Sequence, residues 1–325
     1  MAAPTAPGLG RNRRVTRSPA HAALWFVLVG LGAGCRKEAK PAPSPPVRST
    51  SGPAAREPAA PERPLAPEPA PPSDAASPDS AATNPPWPRH PLPRVETDWC
   101  TESVSALDEQ TCAVLPDEPS RTLLVYLHGV VPPTEQSPQK TNYQRVVARA
   151  ARRAGAAALL PRGLQGTSKR FPRWWTWPMG AAAYRTEVPA LMERLKQSQA
   201  ALEELAGVRF ERVYVAGSSA GAYFVAQLVL AGDVQADGYG AMSGGAGHAT
   251  PELARLPPKP FYIGYGSSDS VGASARALGQ LLKKAGWPVR VAVHPVPHGA
   301  QEVYLDEAFA FWAEHGGTSA AATSP

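Results

Sequence analysis

A pentapeptide, Gly217-Ser218-Ser219-Ala220-Gly221, constrains this chain more than any other feature of its sequence. It follows an apolar run at 212–216 and opens a second one at 220–230, which predict a buried strand and a helix. So tight a turn from strand to helix leaves no room for a Cβ two residues before or after its centre, so glycine is needed at both places. We therefore expect Ser219 at the strand end with its Oγ exposed, in front of unpaired helix N–H groups.

Short apolar runs alternate with longer runs of helical spacing over the last two thirds of the chain. The predicted strands are 121–127, 156–160, 210–216, 238–243, 261–265 and 289–294, and the predicted helices are 139–154, 182–205, 220–230, 271–285 and 303–313. This alternation predicts an α/β fold with a mostly parallel central sheet and helices on both faces. Ligands of such sheets bind at the carboxyl ends of the strands.

The first 35 residues have the pattern of an export signal. Four arginines precede an apolar stretch at 20–33, which is short for a membrane span and ends in small residues before Cys35. The pattern predicts a lipoprotein signal peptide at 1–35, with a lipid on Cys35 that anchors the protein to a membrane of the bacterial cell envelope. The alternative is an ordinary signal peptide with an incidental cysteine, and then a periplasmic or secreted protein.

Composition divides the rest of the chain. Residues 36–95 are rich in Pro and Ala and poor in large apolar residues, which predicts a disordered linker. Residues 96–316 suffice for one domain with a sizeable core, and 317–325 form a predicted disordered tail. Residues 1–95 contain 12 Lys and Arg against 6 Asp and Glu, whereas the remainder contains 21 of each. The folded domain thus has no basic excess, and we expect no nucleic-acid partner.

Three residues that follow predicted strands have the order of a serine hydrolase triad. A serine hydroxyl needs a base to accept its proton, and the base needs a third group to hold it. Ser219, Asp269 and His298 are the predicted nucleophile, acid and base. Asp269 could instead cap the following helix. His294 and His248 are less favoured rivals for the base, because His294 lies within a strand and His248 could simply line the site.

A tetrahedral intermediate also needs two N–H donors aimed at its oxyanion. The backbone N–H groups of Ala220 and Val130 are the predicted donors, and His128 is expected to brace the Val130 loop or to line the substrate cleft. The aromatic residues of 171–178 are interpreted either as a hydrophobic cover or as a wall of the cleft. The candidates for that wall are Trp174, Trp175 and Trp177. Arg162, Lys169, Arg170 and Arg173 would favour an anionic substrate or simply be solvated.

The cysteines give a second sign of export. If Cys35 is lipidated, Cys100 and Cys112 remain as one possible disulfide of an oxidising compartment, or as two unpaired thiols. Their spacing does not suit a zinc site. We expect no metal and no cofactor.

Together these motifs resemble the α/β-hydrolase superfamily, and within it the secreted polyhydroxybutyrate-depolymerase-like and feruloyl-esterase-like hydrolases. The matching segments are Leu127-His128-Gly129, Pro161-Arg162-Gly163, 212–221, 266–269 and His298-Gly299. The resemblance implies an α/β-hydrolase fold and a serine esterase that acts on a small-molecule or oligomeric ester. The alternatives are a peptidase or amidase on the same fold and a catalytically inactive envelope binding protein. The sequence leaves the oligomeric state open.

Overall fold

A computed structural model describes residues 87–246 and 256–316. The predicted signal peptide, the lipidation site Cys35, the linker up to residue 86 and the tail at 317–325 lie outside these residues. Among the helices described, none combines the length and the apolar character needed to cross a membrane.

The described part of the chain contains eight strands and five helices. The strands are β1 (Ser105–Ala106), β2 (Thr111–Val114), β3 (Thr122–Leu127), β4 (Ala157–Pro161), β5 (Arg212–Ser218), β6 (Gly238–Met242), β7 (Phe261–Gly266) and β8 (Val289–His294). The helices are α1 (Pro138–Arg153), α2 (Ala181–Ala206), α3 (Ala220–Ala231), α4 (Gly272–Lys284) and α5 (Glu302–His315). Every strand and helix that the sequence predicts is present, with shifts of one or two residues at most ends.

All eight strands form one sheet in the order β1-β2-β4-β3-β5-β6-β7-β8. The strands β3 to β8 are parallel, and β1 and β2 add an antiparallel edge. Helices α2, α3 and α4 pack on one face of the sheet, and α1 and α5 pack on the other. This sheet, with a strand–serine–helix turn after β5, has the α/β-hydrolase architecture, and the predicted fold class is confirmed.

The antiparallel edge is the part of the sheet that the sequence analysis missed. Strand β2 pairs with β4, with Cys112 opposite Leu160, and β1 pairs with β2. Cys100 and Cys112 form a disulfide with their Cα atoms 5.6 Å apart, which ties the segment before β1 to β2. Strands of two and four residues are too short to show a periodicity, so no pattern indicated them.

The domain begins earlier than the composition indicates. The indole Nε1–H of Trp87 donates to the carbonyl of Pro116 at 2.9 Å, and the N–H of His90 donates to the carbonyl of Leu205 at 2.9 Å. Residues 87–95, which the sequence assigned to the linker, therefore lie against the domain. The composition of this segment is that of a linker, and composition does not reveal two specific hydrogen bonds.

Helix α5 approaches the sheet closely because two strands have glycine beneath its aromatic side chains. A Cβ on Gly238 of β6 would lie 2.6 Å from Trp312, and one on Gly264 of β7 would lie 2.6 Å from Tyr304. Both aromatic side chains are fully buried. The last helix thus supports β6, the neighbour of the strand that leads into Ser219, and β7 beyond it.

Candidate active site

Ser219 lies in a strained turn at the carboxyl end of β5, with φ 53° and ψ −119°. A Cβ on Gly221 would overlap the carbonyl oxygen of Leu127 and lie 2.6 Å from that of His128. A Cβ on Gly217 would lie 2.7 Å from the backbone of Gly221. The two glycines of the pentapeptide are therefore required by close approach of backbone to backbone, and the turn has the geometry of a nucleophile elbow.

His298 bridges the other two predicted triad residues. Its Nε2 lies 2.9 Å from Oγ of Ser219, and its Nδ1 lies 2.8 Å from Oδ2 of Asp269. With the proton on Nδ1, the ring donates to the carboxylate and leaves Nε2 to accept the serine hydroxyl. The Asp269 side chain is only 2% exposed, whereas that of His298 is 47% exposed. The ring thus stands at the surface while the acid that orients it is shielded from water.

Asp269 contacts the imidazole and also forms the turn before α4, but the N-cap of that helix is Val271. While Oδ2 contacts His298, Oδ1 accepts the N–H of Val271 at 3.2 Å just before α4 begins. The N–H of Asp269 donates to the carbonyl of Gly266 at 3.0 Å and closes the turn after β7. The turn thus holds the Asp269 carboxylate in place, and the carboxylate in turn orients the His298 ring.

Ser243 is a site residue that sequence reasoning missed. It follows β6, is fully buried, and has the second positive φ of a non-glycine residue among the described residues, at 50°. Its Oγ accepts the N–H of Gly299 at 3.1 Å and lies 3.3 Å from the carbonyl oxygen of the same residue. Because Gly299 follows His298, this clamp holds the loop of the imidazole. The only sequence signal is a serine before Gly244-Gly245 at a strand end.

The two predicted oxyanion donors lie on segments that meet at Ser219. Ala220 begins α3, which has no side-chain cap, and its N–H has no hydrogen-bond partner within the described residues. The N–H of Val130 also lacks a partner there. A Cβ on Gly129 would lie 3.2 Å from Cβ and 3.7 Å from Oγ of Ser219. The loop after β3 thus passes directly beside Ser219.

His128 does not line a cleft, contrary to one of its two predicted roles. It is fully buried, its Nε2 accepts the N–H of Gly163 at 2.9 Å, and its Nδ1–H donates to the carbonyl of Gly129. Burial lowers the pKa of this imidazole to about 4, so the ring is neutral at pH 7. It braces the loop after β3 against the end of β4.

Trp177 is also a correction to the predicted cleft wall. It is buried, and its Nε1–H donates to the carbonyl of His128 at 2.7 Å, so it packs beneath the loop and does not face the cleft. Trp174 and Trp175 are partly exposed. Trp174 packs on Phe171 with ring centroids 5.0 Å apart. Trp175 exchanges two backbone hydrogen bonds with Val131, at 2.8 and 3.0 Å.

Of the two rival bases, His294 does not approach the serine, and His248 lies outside the described residues. Nε2 of His294 lies 3.1 Å from Oε1 of Glu307 on α5, and its ring packs against Tyr304. Within residues 87–246 and 256–316, no group of three His, Cys, Asp or Glu side chains is arranged to hold a metal ion.

Comparison with known proteins yields no match to a protein-family model and none to a curated protein. Among solved structures, the chain is similar to esterase PE8, with 18% identity over 62% of this chain and 97% of that one and a TM-score of 0.48. A carboxylesterase from Mesorhizobium loti is 19% identical over 62% and 93% of the two chains, also with a TM-score of 0.48. The Bacillus cereus carboxylesterase is 16% identical over 63% and 93%, with a TM-score of 0.47.

Proposed function

We propose that this protein is an exported serine hydrolase that cleaves carboxylic esters through an acyl-enzyme on Ser219. The observation that carries the proposal is the position of the His298 ring, 2.9 Å from the hydroxyl of Ser219 and 2.8 Å from the carboxylate of Asp269. A serine becomes a nucleophile at neutral pH only when such a base accepts its proton.

The steps follow from the geometry. Oγ of Ser219 attacks the carbonyl carbon while Nε2 of His298 takes the hydroxyl proton, and the carbonyl oxygen becomes an oxyanion facing the N–H groups of Ala220 and Val130. The carbon–oxygen bond to the alcohol then breaks, and His298 gives its proton to the departing alcohol. Water repeats the sequence on the acyl-enzyme, releases the acid and restores the serine. Asp269 stabilises the imidazolium in both halves.

Preference for esters over amides rests on the resemblance of the motifs to esterase-like hydrolases. Export rests on the N-terminal pattern, with Cys35 as the proposed site of lipid attachment. The Cys100–Cys112 disulfide supports an oxidising compartment, since such bonds rarely persist in the cytosol. The Pro/Ala-rich linker would hold the hydrolase domain away from the membrane.

The decisive experiment is fluorophosphonate labelling of the protein that begins at Trp87, together with hydrolysis of a short p-nitrophenyl ester and of the matching anilide. We expect labelling and ester hydrolysis, and a loss of about 10³-fold or more in Ser219→Ala. Ser268→Ala, which removes an exposed serine of the Asp269 turn, is the matched control. A folded wild-type protein that takes no label would refute the proposal, and faster cleavage of the anilide would favour an amidase.

The anchor is tested separately in cells. We expect Cys35→Ser to move the protein from the membrane fraction to the soluble fraction. A variant that stays with the membranes would rule out lipid attachment at that residue.

A further inference from the structure

A cavity of about 590 Å³ opens at the carboxyl end of β4, and no triad residue lines it. Its walls are the segment 162–167, Gln110, Trp175 and the first turns of α2. In the sheet, β4 and β5 flank β3. With neighbouring strands about 4.8 Å apart, the ends of β4 and β5 are separated by about 10 Å. The cavity therefore opens at the same edge of the sheet as Ser219, two strands away.

Arg162 is the principal charged group of the cavity. Its guanidinium carbon lies 4.3 Å from the centroid of the Trp175 ring, and its side chain is only 18% exposed. Its Nε is buried and has no hydrogen-bond partner in the described part of the chain. The carboxylate of Asp98 is 3.6 Å away, but it is 69% exposed, and solvent weakens such a pair. The guanidinium thus retains unused capacity to bind an anion.

A second guanidinium converges on the same place. Arg194 donates to the carbonyl of Arg162 at 2.9 Å and to Oε1 of Gln110, which itself lines the cavity. Burial lowers the pKa of Arg194; the charge of Asp108 opposes this shift, and the charge of Arg162 adds to it. Oγ1 of Thr167, another cavity residue, is buried without a partner among the described residues. Two like charges and an unused hydroxyl favour a negatively charged ligand.

The surroundings of the cavity are also basic. From residue 136 to residue 186 the sequence has ten Lys and Arg and no Asp or Glu. Within the described residues, only Arg149, Arg153 and Arg162 of these ten cations form an ion pair. The seven without one include Lys169, Arg170, Arg173 and Arg185. Glu187 lines the rim of the cavity, but it is exposed and accepts a hydrogen bond from Thr186 at 3.2 Å. The field at the cavity is therefore positive overall.

We propose that this cavity binds a carboxylate of the substrate, so that the preferred esters have a second, ionised carboxyl group about 10 Å from the scissile carbonyl. A guanidinium presents paired N–H donors in a plane that matches the two carboxylate oxygens. The inference names the substrate class of the proposed ester hydrolase and rests on that function.

The test compares two p-nitrophenyl esters that differ only at the far end. One is the half-ester of a dicarboxylic acid with about seven methylene groups, a length that spans the gap with carbon–carbon bonds of about 1.5 Å. The other has a neutral carboxamide in place of the free carboxylate. We expect kcat/KM to favour the carboxylate by about tenfold or more, and salt to reduce the preference.

The preference should disappear in Arg162→Gln and persist in part in Arg162→Lys, which keeps the charge but loses the planar pair of donors. Arg209→Gln removes a cation that is 93% exposed and serves as the matched control, with the preference retained. Equal kcat/KM for the two esters in the wild type would overturn the inference. So would an Arg162→Gln protein that loses both activities to the same extent, because the residue would then be structural.

Calorimetric titration of the unesterified dicarboxylate into Ser219→Ala separates this inference from the proposed function. Salt-sensitive binding that is lost when Arg162→Gln is added supports the carboxylate site even if neither ester is hydrolysed. Absence of binding overturns it even if the esters are cleaved.

Discussion

Two serines with positive φ lie at the ends of neighbouring strands and have different roles in the candidate site. Ser219 after β5 offers its hydroxyl, and Ser243 after β6 ties down the loop of His298 through Gly299. Backbone strain of this kind costs on the order of 1–3 kcal/mol per residue and persists where the surrounding structure enforces it. The motif around Ser219 identifies it in the sequence, but a buried serine that clamps a distant loop has no motif.

Loss of the Ser243 clamp should slow the chemistry more than it weakens binding. In Ser243→Ala the N–H of Gly299 loses its acceptor, and the imidazole is held less firmly between Ser219 and Asp269. We expect kcat on a p-nitrophenyl ester to fall about tenfold, with KM changed little. Ser267→Ala, at an exposed turn, is the control. A rise in KM with unchanged kcat would contradict the positioning role.

The buried His128 makes stability depend on pH. Its pKa is lowered from 6.5 to about 4, so between these values the unfolded chain takes up a proton here that the folded protein does not. The stabilisation is complete above pH 6.5 and is lost as the pH falls towards 4, by about 3 kcal/mol in all. Urea unfolding from pH 7 to 4 should show a smaller decline in His128→Gln than in the wild type. Parallel declines would show that His128 does not contribute.

At the scale of elements, the apolar runs predict the parallel sheet well because strands buried on both faces are continuously apolar. All five residues of β4 are buried, for example. The edge hairpin escaped prediction because β1 and β2 depend on pairing with β4 and on a disulfide, which local pattern does not encode. The sequence did not show which aromatic side chains of the loop are buried: Trp174 is partly exposed, and Trp177, three residues later, is buried.

We expect the disulfide to stabilise the loop after β3 as well as the edge strands β1 and β2. Next to Cys100, Trp99 packs on His128 with ring centroids 5.0 Å apart, so the bond also supports the loop after β3. Reduction should lower the free energy of unfolding by about 3 kcal/mol. We expect dithiothreitol to shift the urea midpoint of the wild type and to leave that of a Cys100→Ala/Cys112→Ala protein unchanged. An unshifted wild-type midpoint would contradict this expectation.

At the scale of the whole molecule, the residue at which the domain begins affects its free energy of unfolding. A protein that begins at Glu96 loses the hydrogen bonds of Trp87 and His90 and the packing of Arg89 against Gly207. We expect its free energy of unfolding to be about 2 kcal/mol lower than that of the protein that begins at Trp87. Trp87→Phe, which keeps a ring but removes the N–H donor, should fall between the two. Equal unfolding curves would place the domain start after this segment.

The packing of the last helix, α5, on the sheet has a consequence for biosynthesis. Ser219 precedes His298 by 79 residues, and the aromatic residues of α5 that fill the glycine positions of β6 and β7 come later still. A chain leaves the ribosome N-terminus first, so Ser219 emerges long before His298, its proposed base. A nascent chain that displays the serine turn is therefore chemically inert. The proposed hydrolytic activity would arise only after nearly the whole domain has been translated.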